Sequence, residues 1–456
     1  MSSQAEVSPL MHQFSGYLAG AIRRKLPKEV VERTKVHLVD ICAAILSGSR
    51  LLPGQRVIGH VRTLGGTREA GVIGTRIVTT AINAALANGM CGHADETDAT
   101  HTPTRTHPGT SVIPAALAVA EQQQLSGELL LRAVVLGHDI CARTLYAMDA
   151  AQLNRAGHHP GAFGQLFGAA AAAAALLKLD AHKMRHVLAY AGEQTAGLCT
   201  MFRDSQHIEK AYAMGGMPAH NGVAAALMVA HGFTGVEDLY SGERDFFFTY
   251  APDADREALV RGLGTDYDIM RTGIKRWCAG GPIQAPLHVL YELIQQHRIK
   301  AADVEKLIVR LPSMELRSVN NRDMPDISIQ HLLAVMLVDG TITFASAHDF
   351  SRVRDPAVRK LRSRIEAVAD ETIPNKVRGW RCVMEITLKD GREVTDQTMA
   401  AKGSPDNPLT PSEIEEKALD LMAPVLGKQR SRTLITALLK IDTCNDVRVL
   451  RRLYAA

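Results

Sequence analysis

Gly161-Ala-Phe-Gly-Gln-Leu-Phe-Gly-Ala-Ala-Ala-Ala-Ala-Ala-Ala-Leu-Leu177 decides the fold class. The seven consecutive alanines at 169–175 are the strongest helix formers and lose no rotamer freedom on folding. Gly161, Gly164 and Gly168 fall near one face of such a helix. Lacking side chains, they let another helix approach closely, so tight packing is their plain reading. The stretch contains Gln165 and falls short of a membrane span. On either side of it, residues 30–46, 78–88, 115–124, 128–148 and 184–201 carry apolar residues at a period compatible with 3.6. No comparable run of alternating β-branched residues occurs before about residue 300. The first half is expected to be helix after helix.

The pattern changes after about residue 265. Val304–Leu311 ends at Pro312 and reads as a strand. Cys382, Met384, Ile386 and Leu388 alternate with other residues, and Asp390-Gly391 supplies a hairpin turn before a strand at 393–399. Helical patterns at 285–297 and 329–338 lie between them. Thr410, Pro411 and Glu413 then mark a helix start with a capping box. The expected architecture is mainly α. A large discontinuous all-helical domain, residues 1–265 and 403–456, carries a smaller inserted α+β lid domain, residues 266–402. A crevice between two such domains is a common ligand site.

A chain of 456 residues is long enough for two or three cores. Its net charge of +4 argues against a nucleic-acid partner, which would call for a strong basic patch. Cys42, Cys91, Cys141, Cys199, Cys278, Cys382 and Cys444 are dispersed, without a Cys-x-x-Cys pair. They read as reduced thiols of a cytoplasmic protein, and their spacing argues against an iron–sulfur cluster. The start, Met-Ser-Ser-Gln-Ala-Glu-Val, lacks a basic and apolar signal region, and no membrane partner is expected. There is no Gly-x-Gly-x-x-Gly after a strand, no phosphate loop and no Gly-x-Ser-x-Gly elbow, so no nucleotide cofactor is expected.

The densest chemistry is His93-Ala-Asp-Glu-Thr-Asp-Ala-Thr-His101, followed by His107-Pro-Gly109. Three histidines stand among Asp95, Glu96 and Asp98, and Thr100 is four residues from Glu96. Pro103 and Pro108 keep helix from running through His107, and Thr110 or Ser111 is placed to cap a helix starting near Pro114. Such a start attracts anions, including carboxylates. A metal on His93, Asp95, His101 and His107 would match no known ligand spacing, so no metal is expected. A second turn, Arg155-Ala-Gly-His-His159-Pro-Gly161, leads into the Ala-rich helix. Two further stretches, Glu209-Lys210-Ala-Tyr-Ala-Met-Gly-Gly216 and Ile274-Lys275-Arg276-Trp277-Cys-Ala-Gly-Gly281, pair a lysine with glycines that allow close backbone approach. A lysine in a crevice binds carboxylate.

These blocks, with Met336-Leu-Val-Asp-Gly340 and Gly403-Ser-Pro-Asp-Asn-Pro-Leu-Thr-Pro-Ser-Glu413, resemble the MmgE/PrpD family over nearly the full length. That family includes 2-methylcitrate dehydratases, cis-aconitate decarboxylases and iminodisuccinate epimerases. The resemblance implies a large helical domain with a smaller α+β lid, a homodimer and no cofactor. The family's first motif usually reads His-Ala-x-Asp-Phe-Asp-Asp-Thr-His. Here Glu96 takes the place of its first acid, Asp98 of the second, and Ala99 departs from the third, while Thr100 and His101 match. Active-site roles carry over from the decarboxylases to Glu96, Thr100, His107, His159, Lys210 and Lys275. The decarboxylases also use a tyrosine before a Val-Asn pair, where this chain has Ser318 before Val319-Asn320.

The family reactions share a carbanion or enolate beside a carboxylate. They need a placed acid or base and cations to hold carboxylates. His107 and His159 are expected to donate and accept the proton, and Lys210 and Lys275 to anchor the small polycarboxylate substrate. Glu96 would tune a histidine, and Thr100 would hydrogen-bond the substrate. Asp98, His101, Arg105, His158 and Arg276 are expected to bind substrate as well. The leading expectation is a lyase of the 2-methylcitrate dehydratase type. An epimerase of a small dicarboxylate, a cis-aconitate-type decarboxylase and a carboxylate-binding protein without turnover are the alternatives.

Overall fold

The computed structural model describes residues 7–374 and 380–456. Residues 1–6, read above for a signal region, and 375–379, within the α+β segment, lie outside the described residues. The protein is mainly helical and forms two units. The larger holds the described residues up to Ala94 together with Thr104–Arg271 and Leu421–Ala456. The smaller holds Asp95–Pro103 and the described residues of Thr272–Asp420. Among the described residues no single helix is long and apolar enough to cross a membrane.

The Ala-rich stretch is the centre of the larger unit. Helix Pro160–Leu176 is buried along its whole length. A Cβ at Gly164 would lie 2.6 Å from the Cys141 carbonyl oxygen, and one at Gly168 would collide with the Gly137 carbonyl oxygen. Both carbonyls belong to helix Gly127–Ala147. Gly222, on helix Met217–Ala230, stands in the same relation to Ala169, where a Cβ would lie 2.6 Å from the alanine methyl. Backbones meet where the sequence has no side chains, and the alanines fill the remaining gaps at close-packed density.

Several boundaries differ from the sequence reading. The helix expected at 78–88 is Ala81–Gly92, and Val78–Thr79 is a short strand paired with Ala70–Gly71. Thr80 caps that helix by accepting a hydrogen bond from the Asn83 N–H, so the helix cannot begin earlier. The helix expected at 184–201 ends at Glu193, and a separate 3₁₀ turn covers Cys199–Arg203. Helix Pro108–Gln122 begins six residues before Pro114, which lies inside it, so Thr110 and Ser111 are helical residues and not caps. Pro108 occupies the first helical turn, where no N–H is needed.

In the smaller unit four strands form one sheet in the order Ile365–Ala369, Val304–Leu311, Cys382–Leu388, Glu393–Thr398. Leu307 pairs with Ile365 in parallel; Val309 with Met384 and Met384 with Asp396 are antiparallel partners. Cys382, Met384, Ile386 and Leu388 are buried, as their alternation requires. Helices Gln284–His297 and Ile329–Asp339 pack on the sheet. The parallel strand Ile365–Ala369 escaped the sequence reading.

The capping box at Thr410 is present. The Glu413 carboxylate accepts from the Thr410 N–H at 2.8 Å, and the Thr410 hydroxyl accepts from the Glu413 N–H at 3.3 Å. Helix Pro411–Leu426 follows, and the division between units falls within it, at Asp420 and Leu421. The segment Asp95–Pro103, which the sequence reading counted with the helices, belongs to the smaller unit. Its Thr100 and His101 pair with Gly273 and Thr272.

Candidate active site

In the larger unit two His-Pro-Gly turns place histidines at helix starts. A residue before proline is pushed out of the helical region. His107 (φ −122°) and His159 (φ −93°) accordingly stand as the N-terminal flanking residues of helices Pro108–Gln122 and Pro160–Leu176. Gly161 is required by the second turn. A Cβ there would lie 2.6 Å from Cε1 of His159 itself and 3.0 Å from Oε1 of Gln165. The backbone of His159 is pinned by its N–H bond to the Gly197 carbonyl at 3.1 Å. Gln165 ties the turns together: its amide donates to the Ser111 hydroxyl at 2.9 Å, to the Thr110 hydroxyl at 3.2 Å and to the Met214 carbonyl.

Three imidazoles lie in a buried row. The rings of His93 and His107 are 4.9 Å apart, and those of His93 and His207 are 5.4 Å apart. All three are buried. His93 terminates helix Ala81–Gly92. His207 holds a left-handed φ of 60°, a costly conformation for a residue with a side chain. Lys210 follows on the short helix Ile208–Ala211, which runs into a π-helical turn at Tyr212–Gly216. Gly215 meets the Gly89 carbonyl so closely that a Cβ would collide with it, locking this segment onto helix Ala81–Gly92. Such turns concentrate at functional sites.

Phe202 joins Lys210 to His159. Lys210 Nζ lies 5.9 Å from the Phe202 ring centre, and the same ring meets His159 edge-on at 5.6 Å. Burial, reinforced by the positive charge of His107, Lys210 and His93, pushes His159 down to about 3. His159 is therefore an uncharged imidazole at neutral pH. His158 faces the other way, against the rings of Phe163 at 5.6 Å and Tyr250 at 5.8 Å.

The smaller unit holds the acids. The pairing of Thr100–His101 with Thr272–Gly273 continues as the Ile274 N–H donates to the Gly403 carbonyl at 2.8 Å. Gly403 has φ 95°, and a Cβ on it would collide with the Ile274 carbonyl oxygen. This lacing sets Lys275 beside Glu96. Its ammonium, fully buried, donates to the Glu96 carbonyl at 2.7 Å and lies 3.6 Å from the Glu96 carboxylate and 3.7 Å from that of Asp98. Lys417 holds the Thr97 carbonyl at 3.0 Å.

Asp95 is a structural ion-pair partner. His348 Nε2 stands 3.1 Å from its carboxylate, and both the N–H and the hydroxyl of Thr97 donate to it at 2.9 Å. Burial opposes charge on His348, but the hydrogen bond and charge of Asp95 outweigh it and raise the ring to about 9. Burial likewise opposes ionisation of Asp95, yet His348 and Thr97 hold it below the ordinary carboxylate range.

Of the residues expected from sequence, His107, His159 and Lys210 come together in the larger unit. Glu96, Asp98 and Lys275 come together in the smaller, with Thr100 and His101 on the adjoining strand. Arg276 points elsewhere: its guanidinium lies against the rings of Trp277 at 4.9 Å and Tyr291 at 4.6 Å, and reaches Glu413 at 4.0 Å. Arg105 is exposed, with a left-handed φ of 56°. Motif and spacing in the sequence do not assign a role to His207, Gln165 or His348, and they mark His93 only as a rejected metal ligand. For His207, the signal was its spacing of three residues from Lys210.

Comparisons with known proteins agree over both halves of the chain. The model of the MmgE/PrpD N-terminal domain matches residues 12–258, and that of the MmgE/PrpD C-terminal domain matches residues 277–442. Among curated relatives, a cis-aconitate decarboxylase of Homo sapiens is 28% identical over 400 residues, covering 81% of this chain and 78% of the relative. The Mus musculus cis-aconitate decarboxylase is 26% identical, covering 96% and 92%. A cis-aconitate decarboxylase of Aspergillus terreus is 24% identical, covering 92% and 91%.

Proposed function

This chain belongs to the MmgE/PrpD family, and from that premise we propose that it is a cofactor-independent carboxy-lyase acting on a small tricarboxylate of the cis-aconitate class. The relatives named above support decarboxylation ahead of the 2-methylcitrate-type dehydration expected from sequence. The observation that carries the reading is the buried group of His93, His107 and His159 with the half-buried Lys210 at its edge. It combines proton-transfer groups with a cation suited to a carboxylate.

In the reaction, the bond from carbon to one carboxylate breaks and carbon dioxide leaves. The electron pair stays on the substrate, delocalised toward a remaining carboxylate, and a proton completes the carbon. We assign proton delivery to His107. His159, kept neutral by burial and by its cationic neighbours, accepts a proton or hydrogen-bonds a carboxylate without adding charge. Lys210 binds a carboxylate as a point charge. Glu96, Thr100 and Lys275 are assigned to the same reaction on their match to the family motif, with Asp98 and His101 as substrate-binding residues; Arg105, His158 and Arg276, expected from sequence to bind substrate, are engaged elsewhere or exposed and receive no such role. Because Lys275 is already opposed by two carboxylates, its first task is to hold the charges of Glu96 and Asp98. We further propose that the two units described above act as the two domains of a homodimeric enzyme.

Dehydration stands as a second reading. It is favoured by Ser318, which is exposed and donates to the Glu315 carbonyl at 2.7 Å where the decarboxylases use tyrosine. Incubation with cis-aconitate and, separately, with 2-methylcitrate distinguishes the two. Carbon dioxide release from cis-aconitate is expected. Water loss from 2-methylcitrate alone would establish the dehydratase, and α-proton exchange without net turnover of a dicarboxylate would establish the epimerase.

A further inference from the structure

We propose that His182, His186 and Glu237, on the surface of the larger unit and apart from the histidines above, form a divalent-metal site suited to zinc. Helix Ala181–Glu193 is capped by Asp180, whose carboxylate accepts from the Lys183 N–H at 2.9 Å. Four-residue spacing stacks the two imidazoles on one face of that helix, with ring centres 4.5 Å apart. Both present Nε2 to a single oxygen, Oε1 of Glu237, at 2.8 Å from His182 and 3.2 Å from His186. Tetrahedral zinc with bonds of about 2.0–2.1 Å needs ligand atoms about 3.3 Å apart. Both ring nitrogens already stand near that separation from Oε1, all three ligand atoms lie within 4.8 Å of one another, and a metal ion would take the place of the direct ring-to-carboxylate contacts.

The surroundings hold this geometry. Arg185 binds the other carboxylate oxygen of Glu237 at 2.9 Å, leaving Oε1 to serve as a single-oxygen ligand. The loop carrying Glu237 lies flat on the helix. The Tyr190 hydroxyl donates to the Thr234 carbonyl at 2.8 Å, and a Cβ on Gly235 would lie 3.0 Å from the Ala189 methyl. His186 is buried, whereas the side chains of His182 and Glu237 are 56% and 37% exposed, so one side is open to metal entry and to a water as fourth ligand. The next residue, Asp238, accepts from the N–H groups of Ser8 and Tyr240, each at 2.9 Å. Tyr240 in turn lies among Phe14, Phe167, Phe246 and Phe247. Bound zinc would staple the loop to helix Ala181–Glu193 and, through Asp238, steady the chain leading into helix Pro9–Ala21.

The full-length protein, stripped with chelator, is titrated with zinc alone by calorimetry, and its melting temperature is followed with and without zinc. His182→Ala removes one exposed ligand and Glu237→Gln the anionic one. Expected are one more equivalent of bound zinc in the wild type than in either variant, and a zinc-dependent rise in melting temperature that both variants lose. Turnover without zinc should be the same in wild type and His182→Ala. Equal zinc stoichiometry and equal thermal shifts in wild type and both variants would overturn the site and leave only histidine–carboxylate ion pairs.

Discussion

His159 shows how a single position gathers its properties from its neighbours. Pro160 sets its backbone, Gly161 leaves room for its ring, and burial beside His107, Lys210 and His93 keeps it neutral. Gly161→Ala should therefore displace the ring while sparing the helix, since alanine is the better helix former. A displacement near 1 Å is expected to cost turnover about 10²-fold with little change in melting temperature; unchanged turnover would remove His159 from the reaction. The pH dependence of stability separates two histidines. His348 has a folded value of about 9, above the unfolded value of about 6.5. Its contribution is complete below pH about 6.5 and is lost as pH rises through about 9. His159, with a folded value of about 3, works in the opposite sense. Its contribution is present above pH about 6.5 and is lost as pH falls toward 3. Urea unfolding at pH 6 and pH 9.5 should show a larger loss in wild type than in His348→Gln, and parallel losses would disprove the Asp95 pairing. His107 and His159 are readable in sequence because proline and glycine mark their turns. His207 is marked only by its spacing from Lys210, and Gln165 and His348 are not marked at all, because their partners lie far along the chain.

At the scale of elements, close backbone approach organises the larger unit. Gly168→Val would force a branched side chain into the Gly137 carbonyl. Overpacking costs about 1–3 kcal/mol where side chains can adjust. Here the obstacle is backbone, so a cost at or above the top of that range is expected, read as a lower urea midpoint. A wild-type midpoint would mean that the helices are not in contact there. Periodicity reveals the long helices and the strands Val304–Leu311 and Cys382–Leu388, whose alternating residues face a core. It misses Ile365–Ala369, five residues with Glu366 among them, because a parallel partner and not its own pattern makes it a strand. It also extends the helix at 78–88 too far, since Val78 and Thr79 fit an apolar period equally well. Gly403 is legible only as a turn residue. Its collision course with the Ile274 carbonyl, which aligns Lys275, needs the fold to be seen.

For the whole molecule, the change from helices to α+β near residue 265 is plain in composition, and the return to helix at Pro411 is marked by its capping box. The membership of Asp95–Pro103 in the smaller unit is not, because it depends on pairing with Thr272–Gly273 across 170 intervening residues of chain. The larger unit is closed by its last turn, where Tyr454 and Arg451 both bond the buried Glu121 carboxylate at 2.6 Å. The side chains follow the same division: His93, His107, His159 and Lys210 lie in the larger unit, and the paired acids with Lys275 lie in the smaller. We propose that the protein releases carbon dioxide from a cis-aconitate-class substrate and protonates the remaining carbon through His107. NMR of cis-aconitate in deuterated buffer tests it directly, with wild type and His107→Gln in parallel. Expected are one carbon dioxide and one deuterium per substrate in the wild type, and turnover lower by about 10²–10⁴-fold in the variant with its fold intact. Wild-type turnover in the variant, or no carbon dioxide from the wild type, would contradict it.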